Sequence, residues 1–128
     1  MIIGVGIDLV EVERVQRMLD AHGSRLLNRV FTDGEREYSM GMARPALHLA
    51  VRLAAKEAAF KALSGTEGAR GIGWGEIEVT RDALGRPSVT FHGRAAERAG
   101  ELRVARCHCS LTHTDSSAAA VVVLEALG

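Results

Sequence analysis

The spacing of apolar residues changes several times along this chain, and the changes divide it into segments. Between Ala46 and Leu63 only His48, Arg52, Lys56, Glu57 and Lys61 carry polar side chains. The rest are mostly alanine and leucine, strong helix formers, so the run reads as one long helix. At about 100° per residue, His48, Arg52 and Lys56 share one stripe, while Glu57 and Lys61 share a second across Leu49, Leu53 and Phe60. A helix that is apolar or small nearly all round is covered on most sides, so its charges are expected to emerge into something polar.

Elsewhere the period shortens. MIIGVGIDLVEV opens the chain as a buried strand, and Gly4 and Gly6 within it would let another backbone come close. Val12, Val15, Met18 and Leu19 then recur at helical spacing, and Gly23 can close that helix in a left-handed conformation. A short helix is expected over Ser24 to Val30. Thr32 followed by Glu35 is a capping-box pattern that starts another, ending near Gly41. Pro45 suits the first turn of the long helix. Five glycines in the twelve residues SGTEGARGIGWG break both periods and predict a loop. EIEVTRD and RPSVTFHG, separated by the turn residues Asp82 to Gly85, predict a hairpin, and Gly93 to Gly100 a short helix. VARCHCSLTH and AAAVVVLEAL predict a second hairpin whose last strand is buried on both faces. The fold class is therefore α+β: a small antiparallel sheet with a long central buried helix and short N-terminal helices.

Length bounds the chain, residues 1–128, to a single domain. Zero net charge gives no general attraction to nucleic acid or membrane, so an acidic partner must be met by a local basic patch. No apolar run approaches the roughly 20 residues that span a bilayer, and no basic stretch precedes the N-terminal apolar run, which points to a cytoplasmic protein. Cys107 and Cys109 are one residue apart, too close for an ordinary disulfide, and read as strand residues on one face.

Three stretches carry candidate chemistry. Asp8 near the end of a buried strand needs a partner or a cation, unless it caps the helix that follows. Glu57 and Lys61 either form a solvated i,i+4 salt bridge, with Arg52 and Lys56 snorkelling to water, or face a charged ligand. His113 near a strand end either satisfies local backbone or contributes to a site. His22, His48 and His92 have no motif around them and read as ordinary surface or boundary residues.

Together GVGIDLVEVERV, VRLAAKEAAFKAL and CHCSLTHTDSSAAAVVV resemble the holo-acyl-carrier-protein synthases, the small type of 4′-phosphopantetheinyl transferase. The resemblance covers almost the whole chain in order and spacing. The departures, Leu53 in place of a common aromatic and His108 and Cys109 ahead of Ser110, touch packing more than chemistry. The resemblance implies transfer of the phosphopantetheine arm of coenzyme A to a serine hydroxyl of an apo acyl carrier protein, as in fatty acid biosynthesis, releasing adenosine 3′,5′-bisphosphate. Mg²⁺ prefers hard oxygen ligands, which Asp8 and Glu57 would supply along with substrate phosphate and water. Lys61, one turn beyond Glu57, would reach the pyrophosphate, with Lys56 or Arg52 meeting other coenzyme phosphates. Either Glu57 itself or a metal-bound water would serve as the base that takes the serine proton. By the same resemblance Thr112, His113 and Thr114 belong near the adenylate end of the coenzyme, and the protein is a homotrimer with each site built where two subunits meet. Carrier proteins of this kind are acidic, so Arg14, Arg17, Arg25 and Arg29 are expected to form the docking surface. A noncatalytic module that holds CoA or another nucleotide is the alternative from a different functional class, and a purely structural trimer is a third.

Overall fold

A computed structural model describes residues 1–63 and 69–127. The chain runs β1 (Ile2–Glu11), α1 (Val12–His22), α2 (Ser24–Val30), α3 (Asp33–Met40), α4 (Pro45–Leu63), β2 (Ile77–Arg81), β3 (Pro87–Phe91), α5 (Gly93–Glu101), β4 (Val104–His113) and β5 (Ser117–Ala126). Residues 64–68 of the glycine-rich stretch lie outside the described residues; the remainder passes through turns into a 3-10 turn at Trp74–Glu76.

Local chemistry accounts for the boundaries. Thr32 and Glu35 form the expected capping box: the Glu35 amide donates to the Thr32 hydroxyl at 3.3 Å and the Thr32 amide to Glu35 Oε1 at 2.9 Å. Gly23, at φ +50°, ends α1 by donating its amide to the Leu19 carbonyl, and α2 begins at the next residue. Asp82 holds the β2–β3 turn by accepting from the amides of Leu84 and Arg86, both at 2.9 Å. Asp8 caps nothing. The N-cap of α1 is Glu11, so β1 carries Asp8 inside the strand, three residues before its end.

Two separate antiparallel sheets result, one of order β1-β5-β4 and one hairpin, β2-β3. In the larger sheet Asp8 lies opposite Ala120 and, across β5, Leu111. The inner face, bearing Val10, Ala118, Ala120, Val122 and Leu124, is fully buried beneath α4. Cys107 and Cys109 share that face, in register with Leu124 and Val122. Burial raises the pKa of both thiols, that of Cys107 to about 12, which leaves them as inert apolar residues.

The expectation that the last strand is covered on both faces needs correction. Along β5 fully buried residues alternate with half-buried ones, so only the inner face is sealed. On the outer face Val5, Ile7 and Leu9 of β1 are 57%, 68% and 63% exposed, beside Val123, Val121 and Ala119 of β5. A continuous run of apolar residues does not say what covers its second face, and within one chain this face is open.

Candidate functional site

The long helix brings β1 and the N-terminal helices to one set of charges. Lys61 donates to Asp8 Oδ1 at 2.8 Å and to the Ile7 carbonyl at 3.1 Å. Glu57, one turn earlier on α4, meets Arg14 of α1 at 3.7 Å and lies within hydrogen-bonding reach of Asp8. Four residues from three elements thus form one cluster, which replaces the simple helix-surface picture of Glu57.

Electrostatics make the two acids unequal. Burial opposes ionisation of Asp8, but hydrogen bonds to Glu57 and Lys61 outweigh it and hold the carboxyl below its ordinary range. Burial, the hydrogen bond to Asp8 and the charge of Asp8 push Glu57 up to about 7. The pair shares one proton near neutrality, as two adjacent carboxylates must. Among the described residues Asp8 Oδ2 is buried and has no hydrogen-bond partner. An orphaned carboxylate oxygen beside a second carboxyl is a hard-oxygen donor set that suits a small divalent cation. Among the described residues no third acid, histidine or cysteine joins them, so the remaining ligands would come from water and substrate oxygens.

Lys56 is not placed to meet a coenzyme phosphate. Its ammonium is fully buried, 2.7 Å from Glu35 Oε1, and also donates to the carbonyls of Trp74, at 3.0 Å, and Ile77. All three protons are used. Burial lowers the lysine's pKa and Glu35 works against that shift. Glu35 is equally committed, because beyond its capping role its Oε2 accepts the Val79 amide at 2.8 Å. Lys56 therefore ties α4 to α3 and β2.

On the other side of α4, about 140° round from Glu57, a second cluster forms. Arg52 is 4% exposed, stacks 4.1 Å above the Tyr38 ring and leaves Nε buried without a partner among the described residues. Arg81 of β2 lies over the same ring at 5.5 Å, and His48 meets its edge. Burial, followed by the charges of Arg52, His113, Arg81 and Arg44, lowers the pKa of His48. His113 lines a small pocket with Val51, Arg81, Pro87, Leu111 and Thr112. Cationic side chains gathered around a buried guanidinium have the chemistry to receive an anion.

Of the expected adenylate residues, His113 faces inward toward this cluster, opposite Ala118, whereas Thr112 lies on the outer face opposite Ala119. Thr114 shapes the β4–β5 turn, its hydroxyl accepting from the amides of Ser116 and Ser117. His48 and Arg81 were missed as members. His48 shares the helical stripe of Arg52 and was legible in principle; Arg81 sits at a hairpin end, and only the topology brings it there.

The arginines of the N-terminal helices divide. Arg14 reaches Glu57, Arg17 pairs with Glu13 at 3.5 Å, and Arg25 and Arg29 line a groove with His22, Leu26, Asn28 and Val30.

Comparison with known proteins bears on this arrangement. Residues 4–122 match the 4′-phosphopantetheinyl transferase superfamily. The chain belongs to that superfamily. It is 44% identical over 125 residues to a holo-[acyl-carrier-protein] synthase of Koribacter versatilis, covering 98% of this chain and 99% of the relative. A synthase of the same description from Trichlorobacter lovleyi is 48% identical over 126 residues, again covering 98% and 99%. Among solved structures, the holo-[acyl-carrier-protein] synthase of Neisseria meningitidis superposes with a TM-score of 0.85 at 28% identity, covering 98% of this chain and 99% of that one. The Bacillus anthracis synthase, solved in complex with CoA (3′,5′-ADP), gives 0.77 at 32% identity over 99% of both chains. The α+β fold read from the sequence is the fold of these structures.

Proposed function

We infer that this protein transfers 4′-phosphopantetheine from coenzyme A to a serine hydroxyl of an acyl carrier protein, releasing adenosine 3′,5′-bisphosphate. The observation that carries the reading is the Asp8, Glu57 and Lys61 cluster in a chain of this superfamily. Its electrostatics suit attack by a hydroxyl on a phosphorus atom. Glu57, pushed up to about 7 by burial and by Asp8 while no cation sits between them, lies where a group that takes the serine proton is needed, and a bound cation would lower it and keep it ionised. Lys61 is half exposed and directed at Asp8, where it can neutralise negative charge building up on the pyrophosphate. Asp8 and Glu57 would hold Mg²⁺. When bound, the ion supplies further charge neutralisation to the phosphate oxygens.

The cationic cluster on the far side of α4 would hold other phosphates of the coenzyme, with Arg52 as its floor and His113 and Arg81 at its mouth. Arg14, Arg17, Arg25 and Arg29 would meet the acidic carrier protein. Two features support a homotrimer with shared sites. The acid cluster and the cationic cluster lie on opposite sides of α4, and the open outer face carries Val5, Ile7 and Leu9 in a patch that a second copy would bury. No described helix is long and apolar enough to cross a membrane. The reading places the protein in the cytoplasm, where its neighbouring thiols would stay reduced.

The test is a mass measurement. Incubated with CoA, Mg²⁺ and an apo carrier protein, this protein should add one phosphopantetheine mass to the carrier. A chain that binds CoA but leaves several apo carriers unmodified would be the noncatalytic module instead.

A further inference from the structure

Two glycines in six residues weaken a strand, since each removes a side chain that could pack and adds chain entropy to be lost. Their use in β1 is visible against α4. A Cβ on Gly6 would collide with the carbonyl oxygen of Ala58, and a Cβ on Gly4 with that of Ala62. Both obstacles are helix backbone, which cannot rotate aside. The spacing is matched: Ala58 to Ala62 is one helical turn, about 6 Å of rise, and Gly4 to Gly6 is two strand residues, about 6.6 Å. Strand and helix therefore lie in direct backbone contact along a row that runs Gly4 to Ala62 and Gly6 to Ala58. Asp8 is the next inward position on that row.

The residues beside the helix half of the row are the charged ones. Glu57 precedes Ala58 and Lys61 precedes Ala62, so any movement of α4 away from β1 carries both away from Asp8. We propose that Gly6, assisted by Gly4, is a positioning residue for the acid cluster: the missing side chains set the strand-to-helix distance at which Asp8 meets both Glu57 and Lys61. The inference rests on the reading of this cluster as the transfer site. A methyl group at Gly6 forces the backbones apart by enough to break a 2.8 Å contact between Lys61 and Asp8. Misplacement of reacting groups by about 1 Å costs on the order of 100-fold in rate.

Gly6→Ala tests this beside Val122→Ala, its neighbour on β5, where truncation loosens the core without inserting a wedge. The expected result is a kcat for Gly6→Ala about 100-fold below wild type, with the dissociation constant for CoA within twofold, and a much smaller loss for Val122→Ala at a similar melting temperature. A folded Gly6→Ala with near-normal kcat overturns the proposal, as does a loss no greater than that of Val122→Ala. If Gly6→Ala does not fold, Gly4→Ala decides, because its obstacle lies in the last turn of α4: a tenfold or greater fall in kcat with CoA binding retained supports the proposal, and an unchanged kcat overturns it. Crystal structures of wild type and variant give a readout independent of transfer. If the wild-type protein transfers nothing, the functional reading fails, while the Lys61-to-Asp8 separation in the variant still shows whether the glycine sets it.

Discussion

Glu57 and Asp8 lie close enough to share a proton, and the folded protein bears a cost for that closeness whenever both are charged. Unfolded, Glu57 titrates at its ordinary 4.5; folded, at about 7. Below about pH 4.5 both states hold the proton and the fold loses nothing. Between about pH 4.5 and 7 the unfolded chain has given up a proton that the folded chain still holds, so stability falls across that window and the cost is complete above about 7. Glu57→Gln keeps the shape, can donate to Asp8 and lacks the penalty. With EDTA at pH 8 it should be more stable than wild type by about 1–3 kcal/mol, discounted for partial wetting, and the two should converge at pH 4. Transfer should drop about 100-fold or more. Equal melting temperatures at pH 8 would mean that the acids do not interact. Lys56 poses the opposite case. Lys56→Met leaves Glu35 in the core without its cation and two carbonyls without a donor, a loss of about 3–5 kcal/mol. Its urea midpoint should fall while the folded variant binds CoA with normal affinity in a calorimeter; a selective loss of CoA affinity would return Lys56 to the coenzyme site.

Among the elements, α1 and α2 present most of the basic charge expected to meet a carrier, but their arginines are not equivalent. Arg14 touches Glu57, so changing it disturbs docking and chemistry together. Arg25 lines the α2 groove away from the acids and separates the two effects. Arg25→Glu should raise the carrier KM roughly tenfold at low salt, converge toward wild type as salt screens the surface, and leave CoA binding unaltered. A salt-independent carrier KM, unchanged by the substitution, would move the docking surface elsewhere. Elements were the most legible level in the sequence, because caps and turns act over three or four residues: Thr32 with Glu35, Gly23, Pro45 and the Asp82 turn all do what their spacing implies. Legibility failed where a side chain answers to a distant one. Lys56 looks like a surface cation until Glu35 is brought against it, and Glu35 looks fully spent on its cap. The acids, Asp8 and Glu57, were readable because burying a carboxylate demands an explanation; the cationic cluster was half readable, since only Arg52 and His113 lie in motifs.

At the scale of the molecule, two half-sites and one open apolar face belong to a single question. A chain whose acids and anion receptor face away from each other can complete one site with a neighbour's half, and the outer face of β1 and β5 offers the contact. Ile7→Lys places a charge in the middle of that face and should convert a trimer into monomers in sedimentation, with transfer lost and the fold retained. Subunit mixing then separates shared sites from independent ones. Asp8→Ala and His113→Ala chains, each inactive alone, are unfolded and refolded together so that trimers assemble at random. If every site takes Asp8 from one subunit and His113 from the next, a site works only when a His113→Ala chain supplies the acid and an Asp8→Ala chain supplies the histidine. At equal mixing about a quarter of sites meet that condition, so activity should return to about that fraction of wild type. Assemblies that stay inactive while running as trimers would place both residues in one subunit's site.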